Sequence, residues 1–271
     1  MAVSGTVEAW RETAGGRQRV ALDVPEEVPL ELRFNGTAYA TMMVSPDDLH
    51  DFVLGFSLTE AIVDDSSAIK DLSVREAEGG LVAQVTLHGT EYAALLRREQ
   101  QAGQRTVPGR SGCGICGVRT LDEARRALPL APAGLALSFD VMGKALGALH
   151  QANTAKGAHA AAFCSTDGTI MVLREDVGRH NALDKLIGAL MGLPEPPDPA
   201  EGFCLLTSRC SYEMVQKAVR AGFSTLVAMA SPTGLALRVA DEAGLTVIAL
   251  ARQDGMVQFT EARQGPQEIA V

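Results

Sequence analysis

The chain has 271 residues, 46% of them hydrophobic, and a formal net charge of −9. That length and apolar content suffice for a large core divided between two modest domains, and the negative charge argues against a general nucleic-acid-binding surface while leaving room for a local basic pocket. No apolar run reaches the roughly 18–20 residues that cross a bilayer, the N-terminus lacks the regions of a signal peptide, and five cysteines do not form the even framework of a small secreted domain; the expectation is a cytoplasmic protein that binds neither membrane nor nucleic acid.

In chain order, Arg17–Leu22, Leu30–Phe34 and Ala38–Val44 read as strands, the last two joined by Asn35-Gly36. Asn-Gly between apolar runs signals a tight hairpin. Ser45-Pro46-Asp47-Asp48 supplies an N-cap, a first-turn proline and two acids for the positive end of a helix dipole. Leu49–Ala61 therefore reads as a helix, with Leu49, Phe52, Val53 and Phe56 at helical spacing. Asp71–Val74 and Leu81–Leu87 are further strands and Tyr92–Gln100 a second helix, so residues 1–100 are assigned to a smaller N-terminal α+β domain. Gln101–Val118 is polar and rich in glycine and arginine, a loop long enough to be functional in a compact protein. Residues 101–134 are assigned as a connector.

Beyond Pro129 and Pro132 the pattern changes. Ser138 caps a helix running to about Asn153, Ala160–Cys164 and Ile170–Leu173 are strands joined by an Asp167-Gly168 turn, and Arg179–Met191 is a helix. Phe203–Thr207, Ser211–Ala221, Thr225–Ala230, Thr233–Ala243 and Thr246–Ala251 then form a β-α-β-α-β series. Its strands are too apolar to alternate and must be covered on both faces. Residues 135–271 are accordingly an α/β layered domain, with proline-rich Gly192–Gly202 as an external loop.

Inside the connector, Arg110-Ser111-Gly112-Cys113-Gly114-Ile115-Cys116-Gly117 sets two thiols three residues apart. The glycines permit turns that a Cβ forbids and leave the sulfurs open, and Arg105, Arg110 and Arg119 favour thiolate over thiol. Such thiols can attack a sulfur donor and carry the product elsewhere. A CxxC alone is also compatible with a local disulfide or half of a zinc site, although no second CxxC or CxxH pair completes a zinc ligand set. Cys164, Cys204 and Cys210 read as core residues, and no metal site is expected.

Three polar clusters mark strand ends in the second domain: Arg174–Lys185, Thr207–Glu213 and Ser231–Gly234. In open α/β sheets ligands bind there, beside helix N-termini whose free N–H groups favour anions. Arg179, His180, Ser211 and Thr233 are the candidate ligand contacts. The competing reading is a salt-bridge network among Glu175, Asp176 and Arg179, with Ser211 and Thr233 as helix caps. Asp176 and Asp184, four residues to either side of His180, could hold its imidazole in one tautomer, for a structural role or for proton transfer.

Taken together, Gly112-Cys113-Gly114-Ile115-Cys116-Gly117, the run from Arg174 to Lys185, and Ser208-Arg209-Cys210-Ser211-Tyr212-Glu213-Met214-Val215-Gln216-Lys217 resemble the formate dehydrogenase accessory sulfurtransferase family (FdhD/NarQ). The match follows the same order over most of the chain. The resemblance implies a cytoplasmic sulfurtransferase that accepts sulfane sulfur from a cysteine desulfurase as a persulfide on Cys113, with Cys116 assisting or resolving it. The sulfur would pass to the molybdenum cofactor, Mo-bis-molybdopterin guanine dinucleotide, before that cofactor enters formate dehydrogenase. It also implies a cytidine deaminase-like three-layer α/β fold for the C-terminal domain, and it places a nucleotide contact on Leu250-Ala251-Arg252-Gln253-Asp254-Gly255. Arg252 suits a phosphate or base, whereas Asp254 would repel a phosphate unless it bonds the guanine N–H edge. The deaminase likeness concerns fold alone, because no His-x-Glu pairs with a Pro-Cys-x-x-Cys to hold zinc. A homodimer is expected, without a residue that identifies its interface. Two other functional classes stay open: a thiol-disulfide oxidoreductase using the same CxxC, and a cofactor chaperone in which the cysteines are incidental.

Overall fold

Asn35 and Gly36 take positive φ, 48° and 83°, the turn geometry that folds β3 (Val28–Phe34) onto β4 (Thr37–Val44) without splaying the strands. A four-stranded sheet grows from this hairpin in the order β4-β3-β6-β5. Its β6 (Gly80–Leu87) runs parallel to β3, and β5 (Ile69–Ala77) antiparallel to β6. Leu30, Leu32 and Phe34 alternate inward from β3, as the period of a strand requires. With Ala83, Val85 and Leu87 they pack on Phe52, Val53 and Phe56 of α1 (Leu49–Thr59) and on Leu95 of α2 (Gly89–Ala102). This computed structural model describes residues 4–102, 128–152 and 157–260.

Ahead of that sheet, β1 (Ser4–Thr13) and β2 (Gly16–Pro25) form a separate antiparallel ribbon, where only Arg17–Leu22 is expected as a strand. One face of the ribbon holds Trp10 beneath the guanidinium groups of Arg17 and Arg19, which also pair with Glu12 and Glu8.

The C-terminal sheet begins with the antiparallel hairpin of β7 (His159–Ser165) and β8 (Ile170–Asp176). After α4 (Arg179–Met191) come β9 (Gly202–Leu206), α5 (Tyr212–Arg220), β10 (Thr225–Ala228), α6 (Gly234–Ala243) and β11 (Thr246–Arg252). The last three of these strands are parallel, as their unbroken apolar runs predict. A short β12 (Gly255–Gln258), absent from the sequence reading, closes the edge antiparallel to β11, and the strand order is β12-β11-β10-β9-β7-β8.

Helices cover both faces of this sheet. On one, α3 (Phe139–Ala152) packs Met142, Leu146 and Leu149 against Ala162, Phe203, Leu205, Val227 and Ile248. Ser138 caps it as expected, its hydroxyl accepting the Val141 N–H at 3.3 Å. On the other face α4, α5 and α6 pack against Ala161, Phe163, Leu206, Leu226 and Val247.

The two sheets meet where α1 crosses α4. A Cβ on Gly55 would stand 1.8 Å from the Asp184 carbonyl oxygen, and one on Gly188 1.8 Å from that of Asp51. Only glycine lets the backbones approach so closely. Two buried lysines flank the crossing. Lys185, 0% exposed, donates to Asp47 Oδ1 at 2.9 Å and to the Ser45 carbonyl at 3.1 Å, and lies 2.9 Å from Asp176 Oδ2. Lys217 donates to both Asp184 oxygens at 3.0 and 2.9 Å, to Thr59 at 2.9 Å and to Glu60 at 3.2 Å.

This junction corrects one expectation. Ser45 does not cap α1; the residue before the helix is Asp48, in a left-handed conformation without a side-chain cap bond, and the helix ends at Thr59 rather than Ala61. Ser45 is drawn into the junction instead. Its N–H donates to Asp176 Oδ2 at 2.9 Å, its hydroxyl accepts the Val177 N–H at 3.1 Å, and its carbonyl takes Lys185.

Candidate functional site

Parallel strands deliver their C-terminal ends, and the helix starts that follow, to one edge of a sheet. Here β7 runs against β9, so His159 at its start comes to the same edge, opposite Asp176 at the end of β8. Side-by-side hydrogen bonds knit the edge together. The Ala160 N–H donates to Thr207 Oγ1 at 2.9 Å, Met229 N–H to the Leu206 carbonyl at 2.9 Å, Thr233 N–H to the Cys210 carbonyl at 3.0 Å, and Leu250 N–H to the Ala230 carbonyl at 3.5 Å. The three polar clusters and the turn from Leu250 to Gly255 thus share one edge.

The turn departs from regular strand. Leu250 has φ of 53°, uncommon for a residue with a bulky side chain, and the register slips between Ala249 and Arg252. The bulge leaves Ala251 buried and puts Arg252, Gln253 and Asp254 in solvent, with Gly255 starting β12. Thr233 Oγ1 accepts the Ala236 N–H at 3.3 Å and so caps α6. Ser211 stands at the N-cap position of α5 without a side-chain cap bond.

Arg179 and His180 form the first turn of α4, which opens on Gly178 with no side-chain cap. Arg179 is half-buried, and its Nε has no hydrogen-bond partner among the described residues. His180 is 2% exposed, and its Nδ1 and Nε2 likewise have no hydrogen-bond partner among the described residues. Its Nε2 lies 3.8 Å from Glu213 Oε2 in α5. The approach of His180 holds the Glu213 carboxyl down to about 2 against the cost of burial, helped by the Glu213 main-chain N–H and Ser211. Burial, then the neighbouring charges of Arg179 and His180, push His159 below its ordinary value.

The carboxylates expected to orient His180 do other work. Asp176 is 0% exposed; its Oδ1 accepts the Gly178 N–H and Asn181 Nδ2, and its Oδ2 takes Ser45 and Lys185. Asp184 is bound by Thr59 and Lys217. Asp176 also takes no part in a surface network with Glu175 and Arg179, because it belongs to the interior junction. The acid that faces His180 is Glu213, which spacing within one helix could not reveal. An acid in the first turn of the next helix at the same sheet edge was the available signal. His159 was missed for the same reason, since only the hairpin brings it alongside.

Cys113 and Cys116 lie outside the described residues. The other three cysteines are buried free thiols. Burial pushes Cys164 and Cys210 up to about 12 and Cys204 well above its ordinary value, so none supplies a thiolate near neutral pH. Among the described residues no three His, Cys, Asp or Glu side chains gather as a metal site, and no helix is long and apolar enough to cross a membrane.

The model of the FdhD/NarQ family matches residues 25–265. A protein named Sulfur carrier protein FdhD from Xanthomonas campestris pv. campestris (strain B100) is 39% identical over 270 residues, 98% of this chain and 94% of that one. One of the same name from Variovorax paradoxus (strain S110) is 41% identical over 241 residues, 88% and 84% of the two chains. A crystal structure provisionally assigned as a formate dehydrogenase accessory protein from Desulfotalea psychrophila superposes with a TM-score of 0.70 over 97% of this chain and 99% of its own, at 22% identity. That likeness establishes a shared fold.

Proposed function

The chain belongs to the FdhD/NarQ family, and from that premise we propose that it is a sulfur carrier serving formate dehydrogenase, with Cys113 as the thiol that bears the sulfur. In the first step the Cys113 thiolate attacks the outer sulfur of a persulfide on a cysteine desulfurase. A new S–S bond forms at Cys113, the donor's S–S bond breaks, and the donor leaves as its thiolate. The Cys116 thiolate then attacks the inner sulfur of Cys113: a Cys113–Cys116 disulfide forms, the persulfide S–S bond breaks, and the outer sulfur leaves as hydrosulfide to the substrate, the molybdenum cofactor in its bis-molybdopterin guanine dinucleotide form, bound at the edge that holds Arg179, His180 and the Leu250–Gly255 turn. A thiol reductant returns the disulfide to two thiols for the next cycle.

The observation that carries this reading is one of elimination. Of five cysteines, three are buried with their thiols held protonated, which leaves Cys113 and Cys116 for sulfur chemistry. The edge suits an anionic nucleotide, since two helix starts, a half-buried arginine and an exposed one converge there. A cytidine deaminase-like arrangement of the C-terminal half, a cytoplasmic location and a homodimer belong to the same reading, the first supported by helices on both faces of the mixed sheet.

The test is intact mass after incubation with a cysteine desulfurase and cysteine. The wild type should gain about 32 Da per sulfur, reversibly with reductant, and Cys113→Ala should gain nothing while Cys116→Ala still does. An unchanged wild-type mass would exclude the carrier mechanism and favour cofactor chaperoning. A product that requires only a dithiol and no desulfurase would point to an oxidoreductase.

A further inference from the structure

We propose that the first turn of α4 is an oxyanion-binding corner, in which Arg179 and His180 take a phosphate-type oxygen of the bound nucleotide and Glu213 positions the imidazole. This rests on the reading that the sheet edge receives the cofactor's guanine dinucleotide.

The first N–H groups of a helix lack partners within the helix. α4 is 13 residues long and starts from Gly178, which offers no side chain to cap them. A helix start alone would mean little. Here it coincides with buried nitrogens that have no hydrogen-bond partner among the described residues, Arg179 Nε and both ring nitrogens of His180, whose side chain is 3% exposed. Leaving such groups unpaired in a folded interior is costly, and a single incoming oxyanion would satisfy the arginine, the imidazole and the helix start together.

Burial first, and then Arg179 and His180, hold His159 on β7 below its ordinary value, so both side chains lie close to the start of β7. Two of the nearby carboxylates are committed. Asp176 at the end of β8 is bound by Lys185, Asn181 and two main-chain N–H groups. Glu213 is held by His180, by its own N–H and by Ser211. Glu213 Oε2 lies 3.8 Å from Nε2, beyond hydrogen-bond distance but close enough for the carboxylate to bias the orientation of the ring, as one beside a working imidazole does. Gly178 is required for the tight entry, since a Cβ there would meet Asn181 Nδ2 at 2.8 Å.

The probes are inorganic diphosphate and GDP, titrated into the full chain by calorimetry and followed by 15N-histidine NMR, with His180→Gln used to assign the ring signals. Both probes should move the His180 ring signals in the wild type. Arg179→Gln, a half-buried site that tolerates glutamine, should weaken binding at least tenfold with the melting temperature preserved. Glu213→Gln should weaken diphosphate binding and displace the His180 ring signals of the free protein, because the ring loses its facing carboxylate, and Glu213→Asp should restore both. Ring signals that stay still while diphosphate binds, or equal affinity in Arg179→Gln, would overturn the corner. So would a Glu213→Gln that lowers the melting temperature yet leaves the affinity and the His180 ring signals untouched. A chain that fails to bind diphosphate but still gains sulfur on Cys113 would overturn this inference alone and leave the carrier reading standing.

Discussion

Asp184→Asn strips one charge from the junction between the two sheets while keeping the side chain's volume. Asp184 is 1% exposed and accepts Thr59 Oγ1 at 2.7 Å and Lys217 Nζ at 3.0 and 2.9 Å. Lys217 is itself 3% exposed. Against the cost of burial, Asp184 and Glu60 together raise it above its ordinary value, so it is charged in the native state. Asparagine would leave that ammonium in the interior with only Glu60, at 3.2 Å, to oppose it. Removing one member of a buried pair costs about 3–5 kcal/mol. The carboxylate of Glu60, 16% exposed, offsets part of this, which places the loss near 3 kcal/mol and the fall in melting temperature at roughly 6–12 °C. Urea unfolding and calorimetry measure both. The double variant Asp184→Asn/Lys217→Met removes the stranded charge and should recover about 1–2 kcal/mol of the loss, since an ion pair exchanged for apolar volume is often near neutral. A cost below about 1 kcal/mol for Asp184→Asn is what an exposed pair would show, and it would refute the reasoning.

Three further outcomes follow from the same geometry. Gly188→Ala should cost about 3 kcal/mol or more, because its Cβ meets the Asp51 carbonyl, whereas Gly147→Ala, with nothing within 4 Å of the added carbon, should gain about 0.5–1 kcal/mol; equal effects in denaturant unfolding would contradict the close helix crossing. The surroundings hold the Glu213 carboxyl down from an ordinary 4.5 to about 2 on folding, worth at most about 3 kcal/mol and less once solvent screening of the half-buried group is counted. That contribution is present above the ordinary value and lost as pH falls through the folded one, so the stability gap between wild type and Glu213→Gln should be full at neutral pH and close by about pH 2; a gap that persists at that acidity would show another origin. Finally, Cys113→Ser/Cys116→Ser should show no thiol reactive to Ellman's reagent while folded, and three, from Cys164, Cys204 and Cys210, once unfolded. A reactive thiol in the native double variant would count against their burial.

Local chemistry and strand composition made much of the fold legible. Asn35-Gly36 turned as its residue types require, Ser138 capped its helix, and the apolar runs from Phe203 to Ala251 became three parallel strands covered on both sides. What could not be read is what depends on partners far along the chain. Ser45 has every property of an N-cap, but Asp176 and Val177, more than 130 residues away, hold it. Asp176 and Asp184 sit at helical spacing from His180, yet the lysines and Thr59 claim them at shorter range, because a charge buried between sheets must be matched there. β1 escaped notice because a ribbon open to solvent carries no consistent apolar face. Of the candidate site, the strand-end positions were legible from β-α alternation, while the pairing of His180 with Glu213 needed the adjacency of α4 and α5.

The block from Arg174 to Lys185 therefore divides by what each residue touches and not by position along the chain. Asp176, Asn181, Asp184 and Lys185 bind Ser45, Met43, Thr59 and Asp47 of the N-terminal half, whereas Arg179 and His180 stay at the sheet edge. The crossing at Gly55 and Gly188 permits one register, since a slip of one helical turn would leave Asp184 and Lys185 buried without partners, at several kcal/mol each by the measure of about 3–5 kcal/mol for a broken pair. This ties the first turn of α4 to the half of the molecule that carries α2, and residue 103, directly after α2, begins the stretch containing Cys113 and Cys116. A motif dense in charge thus serves chiefly to hold two surfaces in fixed relation, while Arg179 and His180 carry the proposed binding role. Substitutions on the two parts should separate accordingly: those at Asp176, Asn181, Asp184 and Lys185 lower stability at constant affinity per folded molecule, and those at Arg179 lower affinity at constant stability.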